Sequence, residues 1–189
     1  MRNLIILFLL LFSSSLIAQK SGYVKPLFTA TIISPGLAYE HPVSDKLSIK
    51  TKAAFSFGWS YSYSSSLGSS SSFSPAVLAA LQLRYYYNFE LRERKGKITD
   101  RNSVNYISLL TKYAYSGITY YHNSQGNYSI KQASHLPNVG IVWGIQRNYK
   151  NRFSFDCSIG PSIYSPLVNN EFSFIADVSL GIWLGKKVD

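Results

Sequence analysis

The residues of this chain that could do covalent chemistry are His122, Ser124 and His135, which share the stretch "GITYYHNSQGNYSIKQASH". A serine nucleophile needs a base and an orienting group within hydrogen-bond reach. No carboxylate lies in this stretch, and Glu171 would have to arrive from a different connection. At the outer rim of a small barrel such a set would suit a lipid A or phospholipid hydrolase. Ordinary loop polarity accounts for the same residues and is the reading carried forward. The single cysteine, Cys157, forms no intramolecular disulfide, and no Cys/His cluster has metal-ligand spacing. The sequence points to no catalytic residue, cofactor or metal, and the chain is read as a non-enzyme.

The remaining chemically active groups are charges set singly into apolar stretches. In "FSFIADVSLGIWLG" every second residue from Phe172 to Leu184 is apolar, and the residues between are Ser173, Ile175, Asp177, Ser179, Gly181, Trp183 and Gly185. Side chains alternate faces along a strand, so one face is greasy and the other small, polar and once charged. The same alternation puts Lys50 and Lys52, Arg84, Lys112 and Asp156 on the small faces of four further segments. With Glu40, Glu90 and Asp177, four acids meet four bases. A closed interior demands such a balance, because an unpaired buried charge is severely penalised. Arg84 and Lys112 against Asp156 or Asp177 are the first candidate pairs; Lys25 stands at the rim.

These charges must be positioned by strands, because alternation dominates the mature sequence and no amphipathic helix pattern competes with it. Leu47–Ser62, Ala76–Leu91, Asn105–Tyr115, Pro137–Arg147 and Phe153–Tyr164 repeat the opening pattern. Two shorter strands flank Ser34-Pro35-Gly36, a turn signal. The count is eight antiparallel strands, an even number as in closed bacterial barrels. Residues 1–18 form a basic start, an apolar run and a small-residue cleavage site, the layout of a signal peptide. The barrel domain is then 19–189. Pro161 should interrupt its strand, since proline lacks a ladder donor.

The chain carries a net charge of +10, but export argues against a nucleic-acid partner. The bases crowd at one end. Arg92, Arg94, Lys95, Lys97 and Arg101 lie in one connection, Lys46, Arg147, Lys150 and Arg152 in or beside others, and Lys186 and Lys187 near the terminus. The stretches Tyr63–Phe73 and Gly117–Ser134 read instead as longer, nearly uncharged loops, the first Ser-rich. Short turns on one rim and longer loops on the other is the outer-membrane pattern. The basic turn would face the periplasm, able to touch anionic headgroups, peptidoglycan or a periplasmic protein.

A soluble lipocalin-like ligand-binding barrel would turn the apolar face inward; a membrane barrel does the reverse. The non-apolar faces are mostly Gly, Ala and Ser, too small and neutral for a water surface but suited to the filled lumen of eight strands. Aromatics gather near strand ends, as at a lipid boundary. The expected molecule is an all-β, eight-stranded antiparallel up-and-down transmembrane β-barrel in the outer membrane, monomeric, with lipopolysaccharide and phospholipid around it. A narrow solute channel is a further alternative.

The segments "GLAYEHPVSDKLSIKT", "LRYYYNFELRERKGK" and "NSVNYISL" resemble small bacterial outer-membrane β-barrel proteins, OmpX-like in size and layout, of the type abundant in Bacteroidota. The resemblance implies an eight-stranded barrel with no defined chemistry. Many such proteins end on an aromatic residue; this chain ends Gly185-Lys186-Lys187-Val188-Asp189.

Overall fold

A computed structural model describes residues 23–65, 68–123, 126–130, 133–164 and 171–185. The expected signal peptide and the terminal Lys186 and Lys187 lie outside the described residues. Among the described residues ten strands form: β1 (Leu27–Thr31), β2 (Gly36–Pro42), β3 (Leu47–Ser64), β4 (Gly68–Tyr86), β5 (Asn105–Ser116), β6 (Thr119–Asn123), β7 (Gly126–Ile130), β8 (Ser134–Asn148), β9 (Phe153–Tyr164) and β10 (Glu171–Leu184). A short helix, α1 (Phe89–Arg94), and a 3-10 turn (Asp100–Asn102) lie between β4 and β5. No helix among the described residues is long and apolar enough to cross a membrane, which says nothing of strands.

Every pairing is antiparallel within one sheet ordered β3-β2-β1-β10-β9-β8-β5-β4-β6-β7, and a further β3–β4 pairing closes it. In the closed circuit β1, β2, β3, β4, β5, β8, β9 and β10 each have a neighbour on both sides. The expected count of eight is therefore corrected to ten. The additional β6 and β7 form a hairpin inside Gly117–Ser134, and β6 pairs with β4 from Ser70↔Asn123 to Phe73↔Tyr120. "TYYHN" and "GNYSI" carry too little apolar alternation to announce themselves as strands.

The Ser-rich stretch is also corrected from loop to strand. β3 and β4 stay paired from Leu47↔Tyr85 to Ser64↔Gly68. Serine hydroxyls bond across the ladder, Ser60 to Ser72 at 2.8 Å and Ser62 to Ser70 at 2.7 Å, and Ser74 meets Thr119 at 2.9 Å. Cross-strand hydroxyl pairs hold polar strands together where no core can. β2 leaves β3 at Ala54 and β5 leaves β4 at Val77. Beyond those points the hairpin, with β6 and β7, stands above the rim as a four-stranded sheet.

At the opposite end β4 stops at Tyr86, not Leu91. Asn88 accepts the Asn105 backbone N–H at 2.9 Å, and the chain turns into α1. Phe89, which alternation places outward, is buried instead, stacked on Tyr23 with centroids 5.1 Å apart and edge-on to Tyr86 at 5.7 Å. With Val24, Val104 and Tyr106 it forms an apolar cluster across that end.

The β8–β9 ladder breaks between Gly140↔Ser162 and Trp143↔Ile159, beside Pro161, with the register unchanged. Proline has no N–H to donate there. At Gly160 the backbones approach so closely that a Cβ would lie 2.0 Å from the Ile141 carbonyl oxygen.

The circuit is inside-out compared with a soluble core. Phe55, Leu81, Leu109, Ile141, Ile159 and Val178 are exposed, whereas Lys52, Arg84, Gln146, Asp156 and Ser158 are buried. Among the described residues, polar and charged residues outnumber apolar ones in the buried set. Phe55 and Leu81 stand outward and Arg84 inward.

Candidate functional site

The interior is built from two ion clusters carried by inward positions of β2, β3, β4, β5, β8, β9 and β10. In the first, Asp156 of β9 receives three donors. Arg84 Nη2 lies 2.7 Å away, Lys50 Nζ 2.6 Å and the Tyr106 hydroxyl 2.6 Å. Arg84 also donates to Gln82 and Gln146, and to the Tyr106 hydroxyl at 3.0 Å, while its guanidinium carbon sits 4.0 Å over the Tyr106 ring. Glu40 of β2 accepts from neutral groups: Ser48 at 2.6 Å, Tyr86, and Gln146 at 3.2 Å. In the second cluster, Asp177 of β10 is shared by Lys112 at 3.0 Å and Lys52 at 3.4 Å.

Packing fixes these geometries. Tyr106 faces Gly144 directly across the β5–β8 ladder, where a Cβ would stand 2.2 Å from the ring. Only a glycine leaves the ring room to lie under Arg84 and reach Asp156. Leu110, Val142 and Ile175, with Ala80 against them, fill part of the interior with hydrocarbon. The space left among Lys50, Lys52, Gln82, Arg84, Leu110, Asp156 and Asp177 is about 10 Å³, room for one water at most. The arrangement can neutralise charge and brace strands; it leaves no bound-substrate volume there.

Seven of the expected interior charges, Glu40, Lys50, Lys52, Arg84, Lys112, Asp156 and Asp177, occupy these clusters. Glu90 does not, and its placement is corrected. It lies on α1, half-exposed, paired with Lys46 at 2.6 Å, and the ammonium holds its carboxyl below the usual carboxylate range. The interior therefore sets four bases against three acids rather than four.

The basic connection is a helix and a 3-10 turn, not a plain turn. Arg94, Lys95 and Lys97 are exposed, and Arg92 donates to the Ile98 carbonyl at 3.0 Å. Arg101 is drawn aside: it pairs with Asp100 and lies 4.1 Å over the ring of Trp183, which is buried. Lys25 pairs with Asp100 at 3.3 Å.

The histidines are engaged separately. His122 bonds to Asn127, His135 to the Tyr113 hydroxyl, and His41 meets the Tyr39 hydroxyl at 3.4 Å. Ser124 and the Glu171 side chain lie outside the described residues.

No family model, no curated protein and no solved structure matches this chain. Its own geometry therefore carries the functional reading. The neutral partners Ser48, Gln82, Gln146, Tyr86 and Tyr106 are the interior residues that charge counting missed. Their signal was present: each sits at an inward position, and two bulky tyrosines on an otherwise small, polar face have to be lodged against something.

Proposed function

We propose that this chain is a small integral outer-membrane β-barrel protein, OmpX-like in size and layout, exported by its N-terminal segment. Its role is structural or surface-interacting, its lumen is closed by salt bridges, and it catalyses nothing. Outer-membrane lipids, lipopolysaccharide and phospholipid, are its immediate partners, and it works as a monomer.

The observation that carries this reading is the inversion of the closed circuit, apolar outside and ionic within. Exposed stripes of this size would drive a water-soluble protein to aggregate, but they suit acyl chains. The ends of the stripes carry amphipathic rings. Tyr85, Tyr87 and Trp143 stand outward near the short-turn end, where Trp143 Nε1 donates to the Tyr87 hydroxyl at 2.8 Å. Trp59, Tyr113 and Tyr115 stand outward at the other. Rings with a polar tip favour the lipid–water boundary. The short-turn end then faces the periplasm with Arg94, Lys95 and Lys97, each worth about 1 kcal/mol at an anionic surface.

Two readouts on one sample test the proposal. After cell fractionation the protein is expected with outer membranes, released only by detergent, and its unboiled gel mobility is expected to differ from its boiled mobility. Recovery in the soluble periplasm, or a single mobility regardless of heating, contradicts it.

A further inference from the structure

We propose that the sheet above the rim holds a neutral hexose of the sugar-bearing lipids surrounding the barrel, an inference that rests on the membrane reading above. Cross-strand register puts Trp59, Phe73 and Tyr120 side by side on three neighbouring strands, all on the outward face. One row further out on the same face, Ser71 pairs with His122, and His122 pairs with Asn127. The small serine among larger neighbours leaves a hollow of about 470 Å³ bounded by these six residues and their strand neighbours. The hollow is shallow and more open than enclosed, so a ligand would lie against the rings rather than inside a closed cavity.

The lining matches a pyranose ring in kind. Its C–H faces stack on exposed aromatic rings, and its adjacent hydroxyls require a donor beside an acceptor. His122 Nδ1 is engaged with the Asn127 side-chain oxygen. In the tautomer that donates through Nδ1, the other ring nitrogen is an acceptor, and the Asn127 amide NH₂ is the donor next to it. Phe73 and Trp59 together with Tyr120 supply the stacking platform, and stacking plus hydroxyl pairing is sequence-cheap recognition of an uncharged ring.

Charge selects the kind of sugar. No Lys, Arg, Asp or Glu lines the hollow; none occurs from Phe57 to Pro75 or from Tyr113 to Ile130, and most basic residues lie at the opposite end, Lys131 just after β7 being the exception. A phosphate or acidic sugar entering this hollow would lose hydration with no lysine or arginine among the lining residues to meet it. Position selects the source. The hollow continues the outward face of β3 and β4 directly beyond the apolar stripe of Phe55, Phe57 and Val77. The molecules against the stripe are therefore the ones whose headgroups stand against the hollow.

The test uses the full mature chain in detergent. It is titrated with lipopolysaccharide bearing core hexoses, with lipopolysaccharide truncated before them, and with a soluble neutral glucan. The hexose-bearing lipid is expected to bind about ten-fold more tightly than the truncated one. Tyr120→Ala and Asn127→Ala should each remove about five-fold of that preference, the size of one ring contact or one hydrogen bond. Equal binding of the two lipids overturns the proposal. So does glucan binding as tight as the lipid, which would place the ligand outside the leaflet. Heat-dependent gel mobility is read on every sample: a retained mobility shift without hexose preference refutes the hollow alone, whereas a wild type with no shift refutes the barrel beneath it.

Discussion

Replacing Asp156 by alanine is expected to lower the unfolding free energy of the barrel by about 3–5 kcal/mol, the cost of leaving buried charge uncompensated. The carboxylate is the common acceptor of Arg84, Lys50 and Tyr106, which reach it from three different strands. Its loss strands two cations in a space with room for one water at most. Urea unfolding in lipid vesicles, followed by gel mobility, measures the effect. A second variant separates charge from shape: Asp156→Ala combined with Lys50→Met removes one stranded cation and should recover part of the loss. A change below about 1 kcal/mol, the scale of a solvent-exposed pair, would show that the interior is wet and the network dispensable.

Leu81→Arg is expected to cost about 2–4 kcal/mol in the same assay, the range for a cation on the lipid face near the bilayer midplane. Leu81 is outward, half-exposed, and lies between Thr51 and Thr111, midway along the stripe of β4. Ser69→Arg, exposed on the same strand and face where the sheet stands above the rim, is the matched control and should stay within about 0.5 kcal/mol, as surface substitutions usually do. Were the outward face solvated, Leu81→Arg would behave like Ser69→Arg. Equal, small effects would therefore count against a lipid-facing stripe.

Much of this geometry was legible in alternation alone, because a closed sheet gives each strand only two faces and a residue's parity decides which one it joins. That suffices for Lys50, Lys52, Arg84, Lys112, Asp156 and Asp177, which lie mid-strand. It fails at Glu90. The sequence "YYYNFEL" keeps its period of two through Tyr85, Tyr87, Phe89 and Leu91, but the strand ends because Asn88 bonds to a backbone N–H 17 residues away. A contact of that kind leaves no mark in a local pattern. The Ser-rich hairpin was hidden for a different reason. Strand signals rest on apolar burial, and these strands are held instead by hydroxyl pairs and by β6, whose own sequence looks like loop. The role of Gly144 was invisible as well, since it depends on which residue register sets across from it.

The most direct test of the central claim compares two native tryptophans of opposite orientation. Trp143 stands outward, 43% exposed, while Trp183 faces the interior at 1%. In vesicles of lipids brominated high on the acyl chain, a variant keeping only Trp143 should be strongly quenched, and one keeping only Trp183 should scarcely respond. Quenching of Trp183 with Trp143 untouched, or indifference of both, would contradict an ionic interior wrapped in a lipid-facing wall.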